Sequence, residues 1–144
     1  MGNIRIPQGY RIGIDLIEIN RFKGLEKDNN FVKRVYSDTE IKYCFGNNNA
    51  QTCLATNFSG KEAVLKALQL DELLPLNKVE ILRSDSGAPY VRLPSHIQYK
   101  VGISLSHTEK YAAAVALVTD NEEISFVATE KLLNDALQNI LPDE

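Results

Sequence analysis

One long amphipathic stretch limits what this chain can fold into more than any other. Asn57-Phe58-Ser59-Gly60-Lys61-Glu62-Ala63-Val64-Leu65-Lys66-Ala67-Leu68 carries Val64, Leu65 and Leu68 at helical spacing, with Phe58 a turn ahead. The spacing predicts a long helix over 52–70. Gly60 inside it costs about 1 kcal/mol relative to alanine, a cost that a close neighbour would offset. Glu62 and Lys66 are four apart and share a face, and Lys61 sits one step round from them. A carboxylate between two ammonium groups can hold a cation on one side and phosphate oxygens on the other. The plainer reading is a solvated helix with one Glu–Lys ion pair, worth about 0.3–0.5 kcal/mol.

Shorter elements surround this segment. Residues 11–16 alternate as a strand, with Ile12, Ile14 and Leu16 on the face expected to be buried and Asp15 on the other. Asp is depleted in strands, so Asp15 reads equally as a surface or turn residue and as a functional one. Asn20 is expected to cap a short helix over 21–25, and 31–36 to turn Phe31, Val32 and Val35 inward. Ser37 followed three residues later by Glu40 is a capping box for a helix that Gly46-Asn47-Asn48-Asn49 ends. The second half reads as strands: 79–83 and 89–93 as a hairpin around Ser84-Asp85-Ser86-Gly87, then 101–106 and 111–118. The alanines after Tyr111 leave room for something large to pack closely. Residues 121–141 read as a terminal helix. The fold expected is α+β, an antiparallel sheet packed against one long helix plus shorter ones. The domain occupies 1–119, with 120–144 as an acidic helical extension of it.

Composition narrows the function classes. At 144 residues one domain is expected. No run of eighteen apolar residues predicts a membrane span, and the first ten residues lack the apolar region of a secretory signal. The net charge of −3 hides an acidic tail: residues 120–144 hold seven acids and one Lys, which leaves +3 for the remainder. No concentrated basic stripe marks a nucleic-acid binder. Cys44 and Cys53 have neither Cys-x-x-Cys spacing nor a nearby His, so a zinc site is not expected. Free thiols of a cytoplasmic protein are the expectation.

Three motifs, in order along the chain, carry a resemblance. Gly13-Ile14-Asp15-Leu16-Ile17-Glu18 resembles the Gly-x-Asp-x-x-Glu opening strand of the 4′-phosphopantetheinyl transferases. Phe58-Ser59-Gly60-Lys61-Glu62-Ala63 through Lys66-Ala67 resembles their Phe-x-x-Lys-Glu-Ala-x-x-Lys-Ala helix, and Ser104-Leu105-Ser106-His107-Thr108 their Ser-x-Ser-His-Thr hairpin. Phe31 to Arg34 and Gly87-Ala88-Pro89 are similar to segments of the small holo-acyl-carrier-protein synthase type. The resemblance covers roughly residues 10–119.

That resemblance implies transfer of phosphopantetheine from coenzyme A to a serine of an apo acyl carrier protein, with release of 3′,5′-ADP. It implies Mg²⁺ held by Asp15 and Glu62, catalysis by Glu62 and Lys66, and coenzyme A contacts from Lys61, Lys66, His107 and Thr108. Glu18 matches the motif but is expected to be structural. Arg21, with Lys33 and Arg34, would dock an acidic carrier protein. A single-copy chain resembles the form that assembles as a homotrimer with sites at subunit interfaces. Neither nucleic acid nor membrane is an expected partner. One departure stands out: where the family helix usually has Arg before its Phe, this chain has Asn57. An amide cannot supply that charge, so Arg92 or Lys110 is expected to substitute, or coenzyme A to bind less tightly. A non-catalytic relative that binds coenzyme A or carrier protein is the alternative reading.

Overall fold

The computed structural model describes residues 9–119 together with Lys131 and Asp135. The expected terminal helix over 121–141 therefore lies outside the described residues, those two positions apart. Strand β1 (Tyr10–Glu18) leads through a 3₁₀ turn (Ile19–Phe22) to helices α1 (Asn30–Val35), α2 (Asp38–Phe45) and α3 (Ala50–Leu68). Strands β2 (Glu80–Arg83), β3 (Pro89–Arg92), β4 (Lys100–His107) and β5 (Tyr111–Thr119) follow. β1, β5 and β4 form an antiparallel sheet in that order, and β2 pairs with β3 as a separate hairpin.

Local chemistry sets the helix boundaries. The Ser37 hydroxyl accepts from the Glu40 amide while the Glu40 carboxylate accepts from the Ser37 amide, the reciprocal cap expected for α2. Asn29 and Asn49 cap α1 and α3 through their side-chain oxygens. α3 stops where Gln69 turns left-handed, at φ 51°. Asn20 does not cap a helix over 21–25. The Ile19 amide donates instead to the Lys110 carbonyl at 2.8 Å, the Ile19 carbonyl accepts from Gln51, and Gly24 at φ +76° ends the turn.

α3 lies across the sheet above β5, and small residues let it come close. Ala114 and Ala116 of β5 are buried with Ala63 and Ala67 of the helix, and Ala112 with Leu54 and Ala55 nearer its start. The closest approach is at Gly13 of β1, where a Cβ would stand 2.0 Å from the Ala63 carbonyl oxygen. Gly60 faces the other edge, where a Cβ would meet Ile81 and Ile103 side chains at 3.2 Å. This is the close packing that offsets its helical cost.

Two expectations fail here. The face of β1 that meets α3 carries Gly13, Asp15 and Ile17, not the three aliphatics; Ile14 and Leu16 are 67% and 68% exposed. Period-two alternation defines two faces, and the helix backbone selects the one with the smaller residues. The cysteines are not free thiols. Cys44 at the end of α2 and Cys53 in the first turn of α3 are disulfide-bonded, with Cα atoms 5.3 Å apart. The Gly46–Asn49 turn folds the two helix ends together. Closing a loop of nine residues restrains the unfolded chain by about 2–3 kcal/mol on chain-entropy grounds.

Candidate active site

The sequence-predicted residues fall on two flanks of α3. On the β1 side the Ser59 hydroxyl donates to the Asp15 carbonyl at 3.2 Å, which pins strand to helix. One turn and two turns further on come Glu62 and Lys66, three and seven residues along on the same side. The Lys66 ammonium donates to the Ile14 carbonyl at 2.9 Å and to the Asp15 carboxylate at 3.1 Å. Asp15 and Lys66 therefore meet on this flank, and helical spacing puts Glu62 on the same side of α3. The Lys66 side chain is half exposed, so its pairing with Asp15 is a weak surface contact that can yield to another partner.

His107 and Thr108 lie on the opposite side, at the end of β4. Thr108 shapes the turn: its hydroxyl oxygen accepts from the Lys110 and Tyr111 amides at 3.2 and 3.1 Å. His107 overhangs a cleft of about 350 Å³ that it lines with Arg83, Asn47, Asn49, Thr52 and Thr56. Glu18, Arg21, Lys33 and Arg34 are all exposed.

Lys61 is in neither group. It is fully buried, and its ammonium donates to the Glu40 carboxylate and to the Leu76 and Val79 carbonyls. All three protons are placed, so none remains for a coenzyme A phosphate. Helical spacing puts Lys61 next to Glu62, but on the side of α3 that α2 and β2 cover. Burial pushes the Glu40 carboxyl up and the Lys61 ammonium down, and each charge opposes the shift of the other. Replacing Lys61 with Met would leave a buried carboxylate unpaired. The expected loss is about 3–5 kcal/mol of unfolding free energy, measured by denaturant titration. A loss below about 1 kcal/mol, with weaker coenzyme A binding instead, would return Lys61 to the ligand site.

Asn57 belongs to the same buried network. Its amide nitrogen donates to Glu40 and to the Ile81 carbonyl, both at 3.2 Å, and its oxygen accepts from Arg83 at 3.0 Å. Nothing in the sequence signals Arg83 as a cleft residue; it ends a short strand before a turn.

The family model for the 4′-phosphopantetheinyl transferase superfamily matches residues 11–116. The chain belongs to that superfamily. Among its relatives, a holo-[acyl-carrier-protein] synthase of Thermodesulfovibrio yellowstonii is 34% identical over 110 residues, covering 75% of this chain and 96% of that one. One of Chlamydia trachomatis serovar L2 is 36% identical over 117 residues, covering 75% and 98%. The fold matches the holo-(acyl-carrier-protein) synthase of Bacillus anthracis, solved with CoA (3′,5′-ADP), with a TM-score of 0.67. That comparison has 25% identity and covers 77% of this chain and 96% of the other. The Plasmodium yoelii holo-ACP-synthase structure gives 0.63 at 30% identity, covering 79% and 100%. The α+β superfamily fold is thus the one expected from the motifs. No helix among the described residues of this superfamily member is long and apolar enough to cross a membrane.

Proposed function

We infer that the chain is a holo-[acyl-carrier-protein] synthase, moving 4′-phosphopantetheine from coenzyme A to a serine of an apo acyl carrier protein and releasing 3′,5′-ADP. The observation that carries this reading is the Lys66–Asp15 contact, one turn along α3 from Glu62, in a superfamily member. The deciding experiment incubates the protein with Mg²⁺, coenzyme A and an apo carrier protein. Gain of one phosphopantetheine in the carrier's mass is expected; binding of coenzyme A without transfer, across several carriers, would overturn it.

The chemistry is positioning and charge neutralisation. Asp15 and Glu62 are carboxylates, the hard oxygen donors a divalent cation takes, and no group of three His, Cys, Asp or Glu side chains gathers among the described residues, so substrate and water would have to complete the coordination. Mg²⁺ takes one or two protein carboxylates and fills its remaining positions with substrate phosphates and water, so Asp15 and Glu62 would hold it. When bound, the ion supplies Lewis-acid polarisation of the diphosphate. Lys66 turns from Asp15 to a diphosphate oxygen and neutralises charge on the leaving nucleotide. Glu62 accepts the serine proton as its oxygen forms the new P–O bond and the bond to 3′,5′-ADP breaks.

We propose a homotrimer with shared sites. Ile12, Ile14 and Leu16 stand opposite Leu117, Val115 and Ala113 of β5, on the side of the sheet turned away from α3. An apolar strand face this exposed favours burial against another subunit. The division of His107 from Asp15 and Glu62 across α3 supports the same assembly, in which one subunit's β1 flank meets another's β4 flank.

Docking of the acidic carrier is proposed on Arg21, Lys33 and Arg34. The 3₁₀ turn and α1 that bear them are held side by side by the Phe22–Phe31 ring contact, with centroids 6.3 Å apart. Arg21→Glu is expected to raise KM for the carrier about tenfold or more and leave coenzyme A binding unchanged. An unchanged carrier KM in a steady-state assay would remove Arg21 from the docking face.

A further inference from the structure

We propose that Arg83 receives a phosphate of the coenzyme A nucleotide in the cleft beside His107, and so supplies the cation that Asn57 cannot. The proposal rests on the coenzyme A reading above. It concerns a residue that the resemblance did not single out.

Three observations converge on it. Of the described residues lining the cleft, Arg83 carries the one permanent charge, and none is a carboxylate. Apart from the disulfide-bonded Cys53, the remaining lining is amides, hydroxyls and the His107 ring, groups that donate hydrogen bonds to an anion without competing for the guanidinium. Arg83's own contacts are neutral: the Asn57 oxygen at 3.0 Å, its neighbour's carbonyl at 3.4 Å and the Tyr43 ring at 5.3 Å; the Glu40 carboxylate acts on it through charge without a hydrogen bond or ion pair. A guanidinium presents five donors in a fixed fork, so two such bonds leave a face of the fork open to a phosphate. Finally, its position is held from the core. Glu40 accepts from the Asn57 amide nitrogen, which turns the amide oxygen toward Arg83. A buried ion pair thus orients an amide, and the amide holds the arginine over the cleft.

The bases expected to compensate for Asn57 are placed otherwise. Arg92 makes a two-pronged ion pair with Glu80, at 2.8 and 3.0 Å, on the β2–β3 hairpin outside this cleft. Lys110 lines a different hollow with Glu18, Asn20 and Gln51. Neither is among the residues that line the cleft beside His107.

The test measures binding of adenosine 3′,5′-bisphosphate and of adenosine 5′-monophosphate to the full chain by calorimetry, for the wild type, Arg83→Ala, Arg83→Lys and Arg92→Ala. Arg83→Ala is expected to weaken the bisphosphate about 10- to 100-fold, the range for a charge-assisted contact. Arg83→Lys should fall between, because a point charge replaces a fork, and Arg92→Ala should match wild type. If the monophosphate is weakened equally, the 5′-phosphate is the one bound; if it is unaffected, the 3′-phosphate is. Both outcomes support the proposal. Bisphosphate binding within twofold of wild type in a folded Arg83→Ala protein overturns it, as does failure of the wild type to bind. Should Arg83→Ala not fold, Arg83→Lys decides alone, and wild-type affinity in that variant overturns the contact. Because this readout needs no carrier, wild-type binding without transfer would defeat the synthase reading while leaving Arg83 tested.

Discussion

Glu62→Gln is expected to lower the turnover of apo carrier protein by 10³-fold or more, with the fold intact. The substitution keeps the size of the side chain and removes only its charge and basicity. Loss of a general base alone is worth about 10²–10⁴-fold, and an amide is also a poor ligand for a hard cation. A factor of 10³ corresponds to about 4 kcal/mol of transition-state stabilisation. The check is a mass-resolved transfer assay at saturating coenzyme A and carrier, beside a denaturation curve. Glu62 is only half-buried, so unfolding should be within about 0.5 kcal/mol of wild type. Turnover within tenfold of wild type would mean that the β1 flank of α3 is not where the serine reacts.

The double variant Ile14→Asp/Leu16→Asp should convert the assembly to monomers and abolish transfer together. Both residues are about two-thirds exposed in the single chain, so carboxylates there are solvated and the monomer keeps its core. In a trimer the same carboxylates would lose water against apolar neighbours, a cost of several kcal/mol each. Sedimentation velocity reads the assembly, and the transfer assay reads the site. A monomeric variant that retains wild-type turnover would refute shared sites. A trimeric one would place the subunit contact elsewhere.

The motifs made the superfamily and its fold legible, and helical spacing put Glu62 and Lys66 on one face, but Asp15 stands on the helix-facing side of β1 that the alternation reading leaves outside. What the sequence hid was which side of a pattern faces inward. Ile12, Ile14 and Leu16 look like core, yet α3 demands small residues beneath it, and Gly13 with the β5 alanines supply them. Lys61 looks like a surface charge because one-dimensional spacing cannot say that α2 and β2 cover that side of the helix. Its partner Glu40 is already employed in the α2 cap, so the sequence gives it a sufficient local role that masks the long-range one. Arg83 was illegible for a related reason. Its meaning depends on Asn57, twenty-six residues away, and no local pattern links a strand-end arginine to a helix amide.

The contact at Gly13 has a bearing on how this scaffold tolerates change. There the strand and the helix touch main chain to main chain, with no side chain between them to act as a spacer. The spacing of the two layers beside Asp15 is accordingly set by main-chain contact at this point, two residues before the acid. A methyl group or more at that site would wedge the two layers apart.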